Sequence, residues 1–232
     1  MAVRGVVPGL VQVSMGPINA FIIETDHVTI IDTGYAGSEG VLLGAVRALG
    51  RQPGDVRHIL VTHEHHDHAG SVAALKTATG ADAWAHEKEA AVIRHGTLSF
   101  PLTPSPGLLP RVLYRLLILR GQLSYPAAEV EHVVADGDVL PAAGGIRAVH
   151  VPGHTAGHLA FLWPQRGGVL FAADAAANFA GLGASLWHED HAEARRSLAK
   201  LASLDFAAAC FGHGRPITRR AAERFRRKWG AR

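Results

Sequence analysis

Residues 59–68 read Ile59-Leu60-Val61-Thr62-His63-Glu64-His65-His66-Asp67-His68, an apolar run that leads straight into a cluster of imidazoles and carboxylates. The Ile59-Leu60-Val61 stretch lacks polar alternation, as a strand covered on both faces does, so a buried strand is expected over 58–62. From an extended strand end, residues 63 and 65 can turn toward one point. Asp67 and His68 are expected to enter a helix start and face a neighbouring point. Neutral imidazoles and a carboxylate are the donors that a borderline divalent ion such as zinc takes, and incomplete protein ligation leaves room for water. The order H-x-H-x-D-H therefore predicts two adjacent metal ions. The chain's own His and Asp frequencies would produce it by chance roughly a few times per thousand such sequences. A His-rich surface tract is the other reading, and it does not explain Asp67 or the apolar strand before it.

The flanking sequence places this strand in an alternating α/β pattern. Strands over 18–24 and 28–31 read as a hairpin around Thr25-Asp26-His27, ending on Asp32-Thr33-Gly34. A helix follows, with Ser38 as its cap, Val41, Leu42, Ala45, Val46 and Leu49 at helical spacing, and Gly50 closing it. A second helix is expected over about 69–79, stopped by Gly80. The later half repeats the order, with strands near 145–151, 159–163 and 168–172, a helix near 191–204 and a strand over 207–211. Such alternation implies an α/β (α+β) fold, two sheets packed together with helices outside, in one domain over 1–232. No short-period repeat suggests a solenoid.

Residues 97–130 break the pattern. They carry Pro101, Pro104, Pro106 and Pro110 and then RVLYRLLILRG, and they read as an insertion. Leu109, Val112, Leu113, Leu116 and Leu117 can form an apolar stripe edged by Arg111, Arg115 and Arg120. A helix packed on the body is expected; a lid over the site, a homodimer contact or a membrane-surface helix are the alternatives. With 48% hydrophobic and 19% charged residues among 232, the chain has ample material for a core and no signature of disorder. A net charge of +3 does not point to nucleic acid. The single cysteine, Cys210, excludes an intramolecular disulfide and a thiolate zinc cluster, which fits a reducing compartment. The first residues are broken by Gly5, Pro8, Gly9 and Gln12, unlike a signal peptide, so a cytoplasmic location is expected. No apolar run reaches the 18 residues of a membrane span.

Three further candidates follow apolar strands: His154 in VPGHTAGH, Asp174 after LFAA and His213 in FGHG. Glycines beside His154 and His213 let backbone approach a metal cluster closely. Together with Asp32 in IDTG and the HEHHDH run, these motifs resemble the metallo-β-lactamase fold superfamily from about Asn19 to Pro216. The resemblance implies a four-layer αββα sandwich. It also implies that His63, His65 and His154 hold one metal, that Asp67, His68 and His213 hold the other, and that Asp174 bridges them. Two Zn2+ are the expected cofactors, with Fe or Mn as substitutes. Asp32 is expected to orient a ligand imidazole, since ligated histidines donate their other N–H to a carboxylate or carbonyl. Thr62, Thr155 and His158 would share that duty or serve structural hydrogen bonds. Glu64 and His66 read as spacers, His66, His188 and His191 as surface residues, and Cys210 as a small buried hydrophobe. The basic run over 219–228 reads as a solvated helix with Ala222, Phe225 and Trp229 on its other face.

The expected activity is that of a dinuclear-metal hydrolase: a metal-bridging hydroxide attacks the carbonyl of a small ester, lactone or thioester, with Asp67 as proton acceptor. Departures from related enzymes narrow the field. The β-lactamases of the superfamily carry cysteine or a non-ligand where Asp174 stands. The 19 residues after His213 do not match the helical glutathione-binding domain of glyoxalase II enzymes. Quorum-quenching lactonases often place tyrosine at the position of Ala177, and flavodiiron proteins replace His65 by glutamate. The alternatives are an acyl-homoserine-lactone lactonase, an iron-dependent persulfide dioxygenase, a phosphodiesterase or a non-catalytic metal-binding regulatory module. A small-molecule substrate is expected and nucleic acid is not.

Overall fold

The computed structural model describes residues 2–98, 102–118 and 124–230. In chain order the elements are β1 (Ala2–Val7), β2 (Leu10–Met15), β3 (Ile18–Glu24), β4 (Val28–Ile31), α1 (Glu39–Ala48), β5 (Val56–Leu60), α2 (Val72–Thr79), β6 (Asp82–Ala85), α3 (Glu87–His95), β7 (Thr103–Pro104) and α4 (Leu108–Leu113). Then come β8 (His132–Val133), β9 (Val139–Leu140), β10 (Ile146–His150), β11 (Leu159–Trp163), β12 (Val169–Ala173), β13 (Ala176–Asn178), β14 (Leu182–Ala184), β15 (Trp187–His188), α5 (His191–Ala202), β16 (Ala208–Phe211) and α6 (Ala221–Trp229).

Two mixed sheets form the centre. One has the order β1-β2-β3-β4-β5-β6-β8, antiparallel through β4 and parallel from β4 onward; the other has the order β16-β12-β11-β10-β9, with only β12 and β16 parallel. Strand periodicity sorts the side chains into three apolar layers. In β3, Ala20 and Ile22 face α1, α2 and α3, whereas Phe21 and Ile23 face the second sheet. In β12, Val169 and Phe171 face the first sheet, whereas Leu170 and Ala172 pack under α5 and α6. The result is the expected αββα sandwich. Cys210 of β16 lies in the middle layer, fully buried, and burial pushes its thiol well above the usual range.

Several expectations change in detail. The hairpin β1–β2 lies where the sequence showed only interruptions, because Pro8 and Gly9 serve as its turn. Ser38 stands at the start of α1 but makes no side-chain cap; its backbone N–H is held by Ser71 Oγ instead. The helix expected from residue 69 begins at Val72, so Asp67 and His68 sit in a turn rather than a helix start. Of the expected stripe in the insertion, Val112 and Leu116 are exposed and Leu113 is half-buried, so its described part is not packed on the body as expected. Pro101, Arg120 and the side chains of Leu109 and Leu117 lie outside the described residues. The insertion is fastened at its ends, where β7 pairs with β15 and Tyr125 enters the core beneath α3. Among the described residues no helix is long and apolar enough to cross a membrane.

Phe171 is 1% exposed and packs edge-on against Phe21 across the middle layer, ring centroids 5.4 Å apart. Phe171→Ala is expected to lower stability by about 3–5 kcal/mol, read as a shift of the denaturant midpoint at constant slope.

Candidate metal centre

The two parallel pairs set the place. β4 and β5 end together, with Ile31 opposite Leu60, and β12 and β16 end together in the other sheet. Asp32 follows β4, His63 follows β5, Asp174 follows β12 and His213 lies just beyond β16, so all emerge at the carboxyl ends of neighbouring strands. His154 comes from the loop between β10 and β11. Asp32 (φ 60°) and Ala173 (φ 41°) both adopt left-handed backbone that non-glycine residues avoid, and each stands at one of these strand ends.

Three groups of side chains bring donor atoms within 4.8 Å of one another: His63, His65 and His154; His63, His68 and Asp174; Asp67, His68 and His213. All seven residues expected to ligate metal are thus drawn together, with Asp174 between the two ends. Its Oδ1 is 3.5 Å from His68 Nε2, and its Oδ2 is 3.6 Å from His154 Nε2 and 3.1 Å from His213 Nε2. Asp67 Oδ2 stands 3.7 Å from His68 Nε2 and 3.5 Å from His213 Nε2.

Surrounding acceptors fix which nitrogen of each ring faces inward. Thr62 Oγ1 lies 2.9 Å from both oxygens of Asp32 and 2.9 Å from His63 Nδ1. A hydroxyl has one proton to give, so Thr62 donates to Asp32 and accepts from His63, leaving His63 Nε2 with a free lone pair. His68 Nδ1 is paired with Asp32 Oδ2 at 2.9 Å, His154 Nδ1 with the Trp187 carbonyl at 2.7 Å and His213 Nδ1 with the Pro17 carbonyl at 2.9 Å. In four of the five rings Nε2 therefore faces the centre; His65 turns Nδ1 inward, 3.0 Å from His154 Nε2. Two nitrogens bound to one tetrahedral zinc lie about 3.3 Å apart, close to that spacing.

His63 Nε2, His68 Nε2 and Asp174 Oδ1 are buried without a hydrogen-bond partner. Three orphaned polar atoms in one buried place are costly unless something fills it, and a divalent cation suits this donor set. Backbone approaches so closely that a Cβ on Gly212 would lie 2.1 Å from Asp174 Oδ1 and 2.6 Å from His68 Cε1. Electrostatics divide the cluster. Burial, reinforced by neighbouring histidines, holds His63 and His154 well below the usual imidazole range and His65 down to about 4, so these rings stay neutral. Burial opposes charge on His68 and His213 as well, but Asp67 and Asp174 outweigh it and push them to about 10 and about 9. The carboxylate end is thus a place for positive charge.

Asp32, expected to orient a ligand imidazole, accepts from Thr62 N–H, Thr62 Oγ1 and His68 Nδ1. His158 is buried, its Nε2 accepting the Asp174 N–H at 3.3 Å, and Thr155 donates to Glu89 at 2.9 Å. Two expectations are corrected. Glu64 is no mere spacer: it is 4% exposed, and burial, with Glu89 and Glu189 nearby, pushes its carboxyl to about 8. His188 is not on the surface but 2% exposed, because β15 is covered by β7 and the ring packs 5.9 Å from that of His154. Tyr35, whose ring lies 5.3 Å from that of His66, and Phe179, stacked on His213 at 5.8 Å, line the outside of the cluster. Neither was singled out in the sequence, since lone aromatics in loops carry no motif.

Asp32→Ala would leave Thr62 and the buried His68 ring short of a partner and a counter-charge. Metal-free protein with this substitution is expected to lose about 3–5 kcal/mol of stability, measured by urea titration; a loss below 1 kcal/mol would show that Asp67 and Asp174 suffice.

The metallo-beta-lactamase superfamily model matches residues 13–213. YobT of Bacillus subtilis is 28% identical over 228 residues, covering 90% of this chain and 88% of its own. A hydroxyacylglutathione hydrolase of Pseudomonas aeruginosa is 32% identical over 147 residues, and the match takes in 63% of this chain but only 42% of that relative's length. Among solved structures, a metallo-β-lactamase of Cronobacter sakazakii aligns with a TM-score of 0.72 at 22% identity, over 92% of this chain and 81% of that one, a likeness of fold. Matched over most of its length and carrying the clustered donors at the strand ends, the chain belongs to the metallo-beta-lactamase superfamily of metal-dependent hydrolases.

Proposed function

We propose that the chain hydrolyses the acyl bond of a small thioester or ester at a two-metal centre, with His63, His65 and His154 holding one divalent ion, Asp67, His68 and His213 the other, and Asp174 reaching both. The observation that carries this reading is the pair of donor groups joined through Asp174, with unpartnered buried atoms on both sides of the join. Zinc is the metal that the donor set favours. Two such ions, when bound, would lower the pKa of water and polarise a carbonyl.

The protein groups have separable tasks. Asp32, Thr62, Trp187 O and Pro17 O hold protons on the outward ring nitrogens and keep the inward lone pairs aimed. In the metal-free protein Asp67 is held below the usual carboxylate range because His68 and His213 outweigh its burial; with the centre loaded, its carboxylate would take up the proton released from the attacking water at Oδ1 or Oδ2. Tyr35 stands beside the cluster, its ring 5.3 Å from that of His66, and its hydroxyl can donate to the substrate. Phe179, 62% exposed above His213, offers an apolar wall for the acyl or thiol portion. The thioester preference is supported by the relative named hydroxyacylglutathione hydrolase, of which this chain matches less than half, so the thiol carrier is not transferred with it.

Metal-quantified protein is expected to cleave small acyl thioesters and esters, to lose that activity on chelation and to regain it with Zn2+. His63→Ala and Asp67→Asn should each lower kcat/KM by about a hundred-fold or more with the fold intact by circular dichroism. A panel that includes lactones, phosphodiesters and persulfides reads out the competing chemistries. Absence of thioester and ester turnover with two ions bound would sink the reading.

A further inference from the structure

Glu89 is a buried carboxylate outside the seven-residue donor set. It lies in α3, 2% exposed. Its Oε2 accepts the Glu64 N–H at 2.7 Å, and its Oε1 accepts the Thr155 hydroxyl at 2.9 Å and the Gly157 N–H at 2.7 Å. Glu64 stands between His63 and His65; Thr155 follows His154. One side chain therefore ties together the two backbone segments that supply the three-histidine group, although His65 and His154 are 89 positions apart.

The chemistry of the junction is one-sided. All three partners donate and none accepts, so an ionised carboxylate satisfies every one, while an amide would turn an N–H toward a donor. The approach is close enough to dictate a neighbour: a Cβ on Gly157 would lie 2.6 Å from Glu89 Oε1 and 2.8 Å from His86 Nδ1. From the insertion, the Tyr125 hydroxyl donates to the Glu64 carbonyl at 2.7 Å, so the peptide groups on both sides of the Glu64 Cα are pinned. In the other donor group His68 is held by Asp32 and His213 by Pro17 O; Asp32 also reaches His63 through Thr62, whereas the bonds of Glu89 go to the three-histidine segments.

We propose that Glu89 is a positioning residue that sets the three-histidine half of the centre selectively, whereas Asp32 bears on both halves, directly on His68 and through Thr62 on His63. The inference rests on the two-metal reading above and concerns binding rather than turnover. Its test is titration of metal-free protein with Co2+, followed by calorimetry, elemental analysis and the hyperfine-shifted ring N–H signals of the histidines. Unsubstituted protein is expected to take up two Co2+. In Glu89→Gln one site should keep its affinity, the other should weaken about ten- to a hundred-fold, and the signals that fade at sub-saturating Co2+ should be those of His63, His65 and His154. Thr155→Val deletes one of the three bonds and should weaken the same site by less; it decides by the same criterion if Glu89→Gln does not fold. Two unchanged affinities, or parallel weakening of both sites, would overturn the proposal and leave Glu89 a general structural residue. Uptake of fewer than two Co2+ by unsubstituted protein would instead remove the two-metal reading and the selective role together.

Discussion

Parallel pairing of β4 with β5 and of β12 with β16 is the constraint on which the rest of the molecule depends. Parallel neighbours finish at the same edge, so side chains just past their ends are neighbours however far apart they are in sequence. Two such pairs, one per sheet, face each other across a layer formed by Phe21, Phe161, Trp163 and Phe171. The sheets can bring their ends into register only if that layer packs well. The donor cluster is thus a consequence of the sandwich, and its geometry is as firm as the apolar layer beneath it.

The donors were legible because their signal is local. HEHHDH compresses four of the seven into six positions, and each of the other three follows an apolar strand, His154 and His213 with glycine alongside. The layered architecture was legible in the alternation of strands and helices and in the two-sided apolar run Ile59-Leu60-Val61, and the family resemblance implied its four layers. What escaped was relational. Nothing in the sequence around Glu89 connects it to Thr155 or Gly157, because a lone glutamate on an amphipathic helix reads as solvated. His188 read as surface because the strand that buries it comes from the insertion, 85 positions away. The β1–β2 hairpin was hidden by its own turn residues, which look like interruptions until pairing gives them a purpose.

The centre is assembled from supports of different kinds. One end is neutral and held by the Trp187 carbonyl, a threonine and the bonds of Glu89; the other is ringed by carboxylates that favour positive charge. In the proposed two-ion arrangement, such asymmetry would give the neighbouring sites different intrinsic preferences, one for an imidazole-bound ion and one for a harder ion among carboxylates. The insertion contributes through Tyr125 and through the ribbon that steadies Trp187, which makes it part of the site's scaffolding even though its described apolar residues face outward.

Cys210 acquires a use from its position. Its thiol lies in the layer between the sheets, out of reach of any reagent while the layers stay joined. Modification of that sulfur must wait for an excursion in which the sandwich parts, so the rate at which it reacts measures how often the molecule opens. The chain thereby carries its own gauge of layer separation, at a point in the second sheet only a few residues from the donor that follows β16.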